Sequence, residues 1–336
     1  MTSPIPLIDL SLFLASRDRA TAVAQVQRAL EEVGFLMISG HGVPDELIAR
    51  VNRASLDFFD RPDEDKMRFV PTVPGSRGYN AMRGRTVGVA QNKNLRPSLQ
   101  ESFAVGPVDI RPEPPAGVKK VGRDVAPNIW PDAPTDFEPA MRDYYRAMDR
   151  LYLSLMRLLA IALELPEIYF DDKVNRHASL LRLTHYPALD VEPMPGEERA
   201  GAHTDIGALT ILHIDDTPNS LQVKLRSGEW IFVNREPGAF IINIGDMMMR
   251  WTNDKWISNT HRVVNPPFVN GRSKRRLSLV YFCQTNNDTI VECLPNCAGP
   301  ANPARYPPIV AGEYSAMRAA MRYGYDLPKA ETSDAV

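Results

Sequence analysis

Cysteine is scarce in this chain. Only Cys283, Cys293 and Cys297 occur among 336 residues, an odd set without zinc-knuckle spacing, so neither a disulfide framework nor a cysteine-built metal module is expected. Neither sign of charge dominates: 39 basic residues against 41 acidic ones leave a net charge of -2, which creates no field to attract polyanions. Nucleic acid and acidic membranes are therefore poor partners. No apolar run approaches the ~20 residues that a membrane helix requires. The start, MTSPIPLIDLS, lacks the charged, apolar and small-residue regions of a secretory signal. These absences favour a soluble, cytoplasmic protein with a small-molecule partner; they leave the oligomeric state open. With 44% hydrophobic residues, the chain can fill one large core, and a single domain over residues 1–336 is expected.

What is present falls into four stretches. Residues 1–130 read as a mixed α/β region with long loops. IPLIDLS alternates like a short strand, TAVAQVQRALEEVGF has helical spacing that stops at Gly34, FLMISGHGV reads as a buried strand, and VPDELIARVNRASLDFF as a helix between Pro44 and Pro62. Residues 70–130 are rich in Pro, Gly, Arg and Asn and carry only short apolar pieces such as SFAVG, as recognition loops often do. Within residues 131–170, FEPAMRDYYRAMDRLYLSLMRLLAIALEL predicts one long spine helix, whose Met and Tyr stripe is packing. From 175 to 300, short β-rich runs (SLLRLTHY, ALTILHI, LQVKL, WIFVN, AFIINIG, THRVV, RLSLVYFC, TIVEC) point to an antiparallel barrel or jelly roll. Residues 308–326 return to helix, and the last ten or so read as disordered.

The chemistry concentrates in the β-rich stretch. GAHTDIGALTIL reads as a strand on which His203 and Asp205, two apart, share a face, and a later strand begins at His261. Each alone is an ordinary polar residue satisfied by the backbone. Together they offer two imidazoles and a carboxylate to one ion, with open positions left over, an arrangement suited to Fe(II), although zinc accepts the same donors. On RLSLVYF, Arg276, Ser278 and Val280 share one side of a strand. Against the reading of a solvated edge, a buried Arg276 needs an anion, which its planar fork would bind as a carboxylate beside the Ser278 hydroxyl; Tyr186 can add another hydroxyl. The other histidines invite plainer readings: His41 in a turn, His177 at the surface, His213 in the core or behind the site, and His185 on the strand face opposite Tyr186. Trp251 and Asn253 fall in RWTNDKW, which reads as a hairpin, with packing and substrate contact evenly matched.

The run from Leu180 to Cys283, together with IPLIDL, GFLMISGHGVP, RGY and ESFAVG, resembles the isopenicillin N synthase-like family of Fe(II)/2-oxoglutarate oxygenases over nearly the whole chain. LRLTHYPA, MMMRWTNDKWISNTHRVV and YFCQTN look closest to its bacterial and fungal branch, the thymine dioxygenase-like proteins. The resemblance implies a mainly β fold with α, a double-stranded β-helix (jelly-roll) core supported by the long helix and the N-terminal mixed region. It further implies Fe(II) on His203, Asp205 and His261, and 2-oxoglutarate whose distal carboxylate is held by Arg276, Ser278 and Tyr186, with O2 as the other co-substrate. Two places depart from the pattern. Thr184 and His185 stand where plant members usually carry Asn and Tyr, and Ile206 follows Asp205 where many relatives carry an aromatic, which counts against a base-stacking substrate such as thymine.

The expected activity is oxidation of a small organic molecule (hydroxylation, or desaturation or ring closure) with release of succinate and CO2. Two rivals stay open on sequence: an oxidase without keto acid, like isopenicillin N synthase, in which Arg276 and Ser278 would hold the substrate's carboxylate, and a non-catalytic binding scaffold, for which broken metal ligands would be expected. Substrate contacts are sought at Arg77, Tyr79, Asn80, Arg83 and Arg96 in the loops and at Arg182 and Phe282 beside the pocket, each weighed against a solvated loop face. Several arginines at the mouth would favour an acidic substrate.

Overall fold

The computed structural model describes residues 5–15, 18–72, 77–88, 91–92, 94–109 and 127–323. Among the described residues, twelve strands make two sheets: β1 (Leu7–Asp9), β2 (Phe35–Ser39), β3 (Gly78–Asn80), β4 (Glu101–Val105), β5 (Leu180–Tyr186), β6 (Ala200–His203), β7 (Leu209–Ile214), β8 (Leu221–Lys224), β9 (Trp230–Phe232), β10 (Phe240–Ile244), β11 (His261–Val263) and β12 (Arg276–Cys283). The larger sheet runs β1-β2-β10-β7-β12-β5-β4-β3 and the smaller β6-β11-β8-β9. Apart from the parallel β1–β2 pair, neighbours are antiparallel. This is the jelly-roll arrangement that the strand spacing predicts. Among the described residues no helix is long and apolar enough to cross a membrane.

The spine helix spans Phe137–Ala162 and buries a broad apolar stripe against one face of the large sheet. Leu277, Leu279, Tyr281 and Cys283 of β12 and Leu181 and Leu183 of β5 point into that core. Because side chains alternate along a strand, Arg276, Ser278, Val280 and Phe282, with Arg182, Thr184 and Tyr186, are left facing the opposite side, toward the small sheet. The helix Arg19–Glu32 ends just before Gly34, whose φ of 72° suits a residue without Cβ. The next helix, Asp45–Phe59, begins after Pro44. The C-terminal helix covers Ala311–Tyr323; the rest of the stretch to 326 and the tail read as disordered lie outside the described residues.

Three local expectations need correction. The GAHTDIGALTIL segment is not one strand: β6 ends at His203, β7 begins at Leu209, and the intervening turn carries Asp205 from the small sheet to the large one. The backbone crowds here, because a Cβ at Gly207 would run into the Cys283 carbonyl and one at Gly245 into the Gly207 carbonyl. RWTNDKW is not a hairpin; Asp246–Trp251 is a short helix followed by a turn in which Asn253 and Asp254 adopt φ of 53° and 65°. Trp251 is core, and the Asn253 amide donates to the Cys297 and Pro303 carbonyls. TIVEC yields only the two-residue strand Ile290–Val291, paired with Ile309–Val310 outside both sheets.

Candidate metal and co-substrate site

Strand register builds the site as four rows across the inner face of the large sheet. Tyr186 lies opposite Arg276; Ser102, Thr184, Ser278 and Ile214 form the next row. Ala104, Arg182, Val280 and Leu212 form the third, and Leu180, Phe282, Thr210, Asn243 and Phe35 the fourth. Rows are two residues apart along each strand, which keeps their side chains on one face. The small sheet closes over the fourth row through His203 and His261, which are direct register partners on β6 and β11. The cavity between the sheets, about 80 Å³, far exceeds the roughly 10–15 Å³ that one water needs.

At the fourth row His203, Asp205 and His261 bring one ligand atom each within 4.8 Å of one another. His203 Nε2 is 4.0 Å from Asp205 Oδ1 and His261 Nε2 is 3.7 Å from Oδ2. The imidazole tautomers follow from the backbone. His203 Nδ1 lies 2.7 Å from the Gly201 carbonyl and His261 Nδ1 3.2 Å from the Asn259 carbonyl; a carbonyl only accepts, so each Nδ1 is the donor and each Nε2 is the nitrogen left for an ion. Two imidazole nitrogens and a carboxylate converging in a nearly buried site are a donor set that fits a divalent ion.

Supports that the sequence reading missed hold this cluster. Asp205 Oδ2 accepts from Thr210 Oγ1 at 2.7 Å and from Asn243 Nδ2 at 2.9 Å. The Asp205 carbonyl accepts the Asp246 N–H, and the Asp246 carboxylate accepts from Ser258, Thr204 and Arg318 of the C-terminal helix. Asn259 anchors through its amide on the Val33 carbonyl, and Phe35 packs edge-on to the His261 ring at 5.6 Å. Inward alternation marks Thr210 and Asn243 as cavity-facing; that they bond Asp205 depends on a register no local pattern reveals.

At the first row Arg276 is 1% exposed and its Cζ lies 5.0 Å from the Tyr186 ring centre. Nη1 is 3.4 Å from Ser278 Oγ, and Nε has no hydrogen-bond partner among the described residues. Behind the same ring lies Arg199, also buried, with Nε and Nη1 unpartnered and Nη2 donating to the Lys274 carbonyl. No carboxylate pairs with either arginine among the described residues. Burial, and then the charge of Arg276, push the Arg199 guanidinium down to about 10. Two buried guanidiniums beside one tyrosine, with no carboxylate partner among the described residues, are suited to an anion.

Of the other expected contacts, Arg182 and Phe282 line the cavity, as does Thr184; Arg77, Tyr79, Asn80, Arg83 and Arg96 do not. Arg77 is buried, packed against Gly106. Tyr79 donates to Glu101, and Asn80 turns back on the Gly78 carbonyl. Arg83 is tied to Glu197 on the exterior, and Arg96 is exposed. In a loop, exposure and direction are tertiary properties, which is why a Pro- and Arg-rich composition misled. Arg85, which no sequence signal distinguishes from the other loop arginines, lines the cavity and donates to Ser102 Oγ at 2.6 Å. Ile206 is not among the lining residues.

The remaining histidines lie away from the metal cluster. His185, on the face opposite Tyr186, donates through Nδ1 to Glu101 and accepts at Nε2 from Arg275. Burial raises the Glu101 carboxyl, but hydrogen bonds from His185, Tyr79 and Lys66 outweigh it and hold the group below its ordinary value. His177 is not at the surface: it is buried against Tyr152, with Nε2 3.3 Å from Asp149. His41 caps its own turn, accepting the Val43 N–H, and His213 is buried beside Phe240.

Comparisons with known proteins give the family. Residues 5–133 match the family model described as the N-terminal region of non-haem dioxygenases in morphine synthesis, and residues 177–285 match that of the 2OG-Fe(II) oxygenase superfamily. The chain belongs to that superfamily, whose members use Fe(II), 2-oxoglutarate and O2, and it is an enzyme that carries out 2-oxoglutarate-dependent oxidation of a small molecule. It is 33% identical to the 2-oxoglutarate-Fe(II) type oxidoreductase hxnY of Emericella nidulans, over 98% of this chain and 92% of the relative. It is also 33% identical to a homoarginine-6-hydroxylase of Glycine max, over 87% and 88%. Among solved structures, a full-length Neurospora crassa protein in complex with alpha-KG and thymine superposes with a TM-score of 0.81 at 30% identity, over 95% of this chain and 97% of that one.

Proposed function

We propose that His203, Asp205 and His261 hold Fe(II) through two Nε2 atoms and the carboxylate, and that Arg276, Ser278 and Tyr186 bind the distal carboxylate of 2-oxoglutarate, all within one oxygenase domain spanning residues 1–336. Bound there, the ion would supply the dioxygen chemistry that couples succinate and CO2 release to oxidation of the substrate. One observation carries this reading: a cation-ready cluster and an anion-ready guanidinium occupy opposite ends of a single cavity. The protein's share is positional. Thr210 and Asn243 fix the Asp205 carboxylate, the two backbone carbonyls fix the imidazole tautomers, and apolar walls such as Val87, Leu212, Val263 and Val280 keep bulk water from the reacting groups.

The substrate is a small organic molecule seated in the cavity beside the metal end, against Arg182 and Phe282. The names of the relatives span homoarginine and thymine, so they do not select one compound. The test is an anaerobic titration of the Fe(II)-loaded protein with 2-oxoglutarate, followed through its weak visible charge-transfer band. Arg276→Met should weaken 2-oxoglutarate binding by roughly 10- to 100-fold, the loss of a bidentate charged contact. A wild-type protein that shows no band, or a variant that binds the keto acid as tightly as wild type, refutes the assignment.

A further inference from the structure

We propose that the substrate carries a carboxylate and that Arg182 is the group that binds it. This rests on the reading above and adds the chemical class of the molecule oxidised. The described residues lining the cavity bring three guanidiniums, Arg85, Arg182 and Arg276, against one carboxylate, Asp205. A divalent ion and a dianionic keto acid together add no net charge, and Asp205 offsets Arg276. Even with Arg85 left out of the sum, Arg182 remains a cation for which neither the lining residues nor the co-substrate provides a counter-charge. A charge in a low-dielectric cleft is costly unless paired, so the anion is expected to arrive with the substrate.

The geometry of Arg182 favours a planar anion. It belongs to the third row, one row from the metal supports Thr210 and Asn243 and two rows from Arg276, so it stands nearer the metal end than the end assigned to the distal carboxylate of the keto acid. Its Cζ lies 5.1 Å from the Phe282 ring centre, which places the ring against the guanidinium. Its Nε is buried and has no hydrogen-bond partner among the described residues. Nε and one Nη form the edge that takes a carboxylate with two parallel hydrogen bonds. Arg85, held by Ser102 of the second row, borders the same cavity. The remaining walls are largely apolar, with Phe35, Leu221 and Val263 facing the space beside the metal cluster. They suit a compact acid with an apolar body whose oxidised carbon reaches the fourth row.

The experiment uses the Fe(II)- and 2-oxoglutarate-loaded protein and matched probes that differ only in charge: phenylacetate with phenylacetamide, and hexanoate with hexanamide. Binding is read anaerobically from the perturbation of the visible band, and succinate release is then followed in air. Each acid should bind roughly 10- to 100-fold more tightly than its amide, as expected for a charge-assisted bidentate contact. In Arg182→Gln that ratio should collapse toward one while 2-oxoglutarate still saturates the site; Arg182→Lys should keep part of the preference. Acids that bind no better than their amides in wild type, or an acid preference that survives Arg182→Gln, overturn the proposal. Absence of the band before any probe is added would instead remove the metal and keto-acid reading, and this proposal with it.

Discussion

Thr210→Val removes a hydroxyl and keeps the branched shape, so it isolates one support of the metal cluster. Thr210 is buried, and its O–H donates at 2.7 Å to Asp205 Oδ2, which also accepts from Asn243 at 2.9 Å. A hydrogen bond to a charged acceptor is worth about 1.5–3 kcal/mol, and with Asn243 retained the lower half of that range applies. Part of the loss will appear in the metal-free fold, because a buried carboxylate gives up a donor. The remainder will appear in the metal, because an oxygen held on one side only can rotate away from the direction set by the two Nε2 atoms. Outer supports of this kind typically alter metal affinity by roughly 10- to 100-fold, and about tenfold is expected here. Anaerobic Fe(II) titration at saturating 2-oxoglutarate measures the second part, and urea unfolding of the metal-free protein measures the first. An iron affinity indistinguishable from wild type would show that Asp205 is held by something other than Thr210, and the account of the fourth row would fail.

Two further predictions concern stability. Burial, and then the positive charge of Arg235, lower the His213 imidazole from 6.5 to about 4, so the folded state keeps it neutral while the unfolded chain protonates. Stability from this group is therefore whole above pH 6.5 and is lost as pH falls toward 4, by about 3 kcal/mol at 1.36 kcal/mol per unit. Unfolding free energies of wild type minus His213→Leu should show that slope, and a flat difference refutes it. On the far face of β5, Lys66→Met leaves Glu101 without its cation at 2.9 Å. Loss of one member of a buried pair should cost roughly 3–5 kcal/mol; a change below about 1 kcal/mol, the size of an exposed pair, would mean that Tyr79 and His185 suffice.

Legibility followed physical range. The spine helix, the strand runs and the inward alternation of Arg276, Ser278 and Val280 were readable because each is written in a local period of 3.6 or 2. The grouping of His203, Asp205 and His261, whose ligand atoms converge, was readable because the three are improbable as packing residues when taken together. The loop candidates were not: Arg83 and Arg96 look the same in composition as Arg85, yet only Arg85 turns toward the cavity. The burial of His177 is not legible in the sequence, because nothing in its neighbours announces Asp149 and Tyr152.

By itself, the order of residues determined the class of fold, the two imidazoles and carboxylate available for an ion, and the guanidinium available for an acid, since those follow from side-chain chemistry and strand periodicity. Only the tertiary structure decided that the turn carrying Asp205 crosses between two sheets, that Thr210 and Asn243 reach that carboxylate, and that Arg182 faces the cavity with a buried Nε lacking a hydrogen-bond partner among the described residues. These depend on register between strands distant in sequence, where a shift of one residue would turn every one of those side chains to the other face.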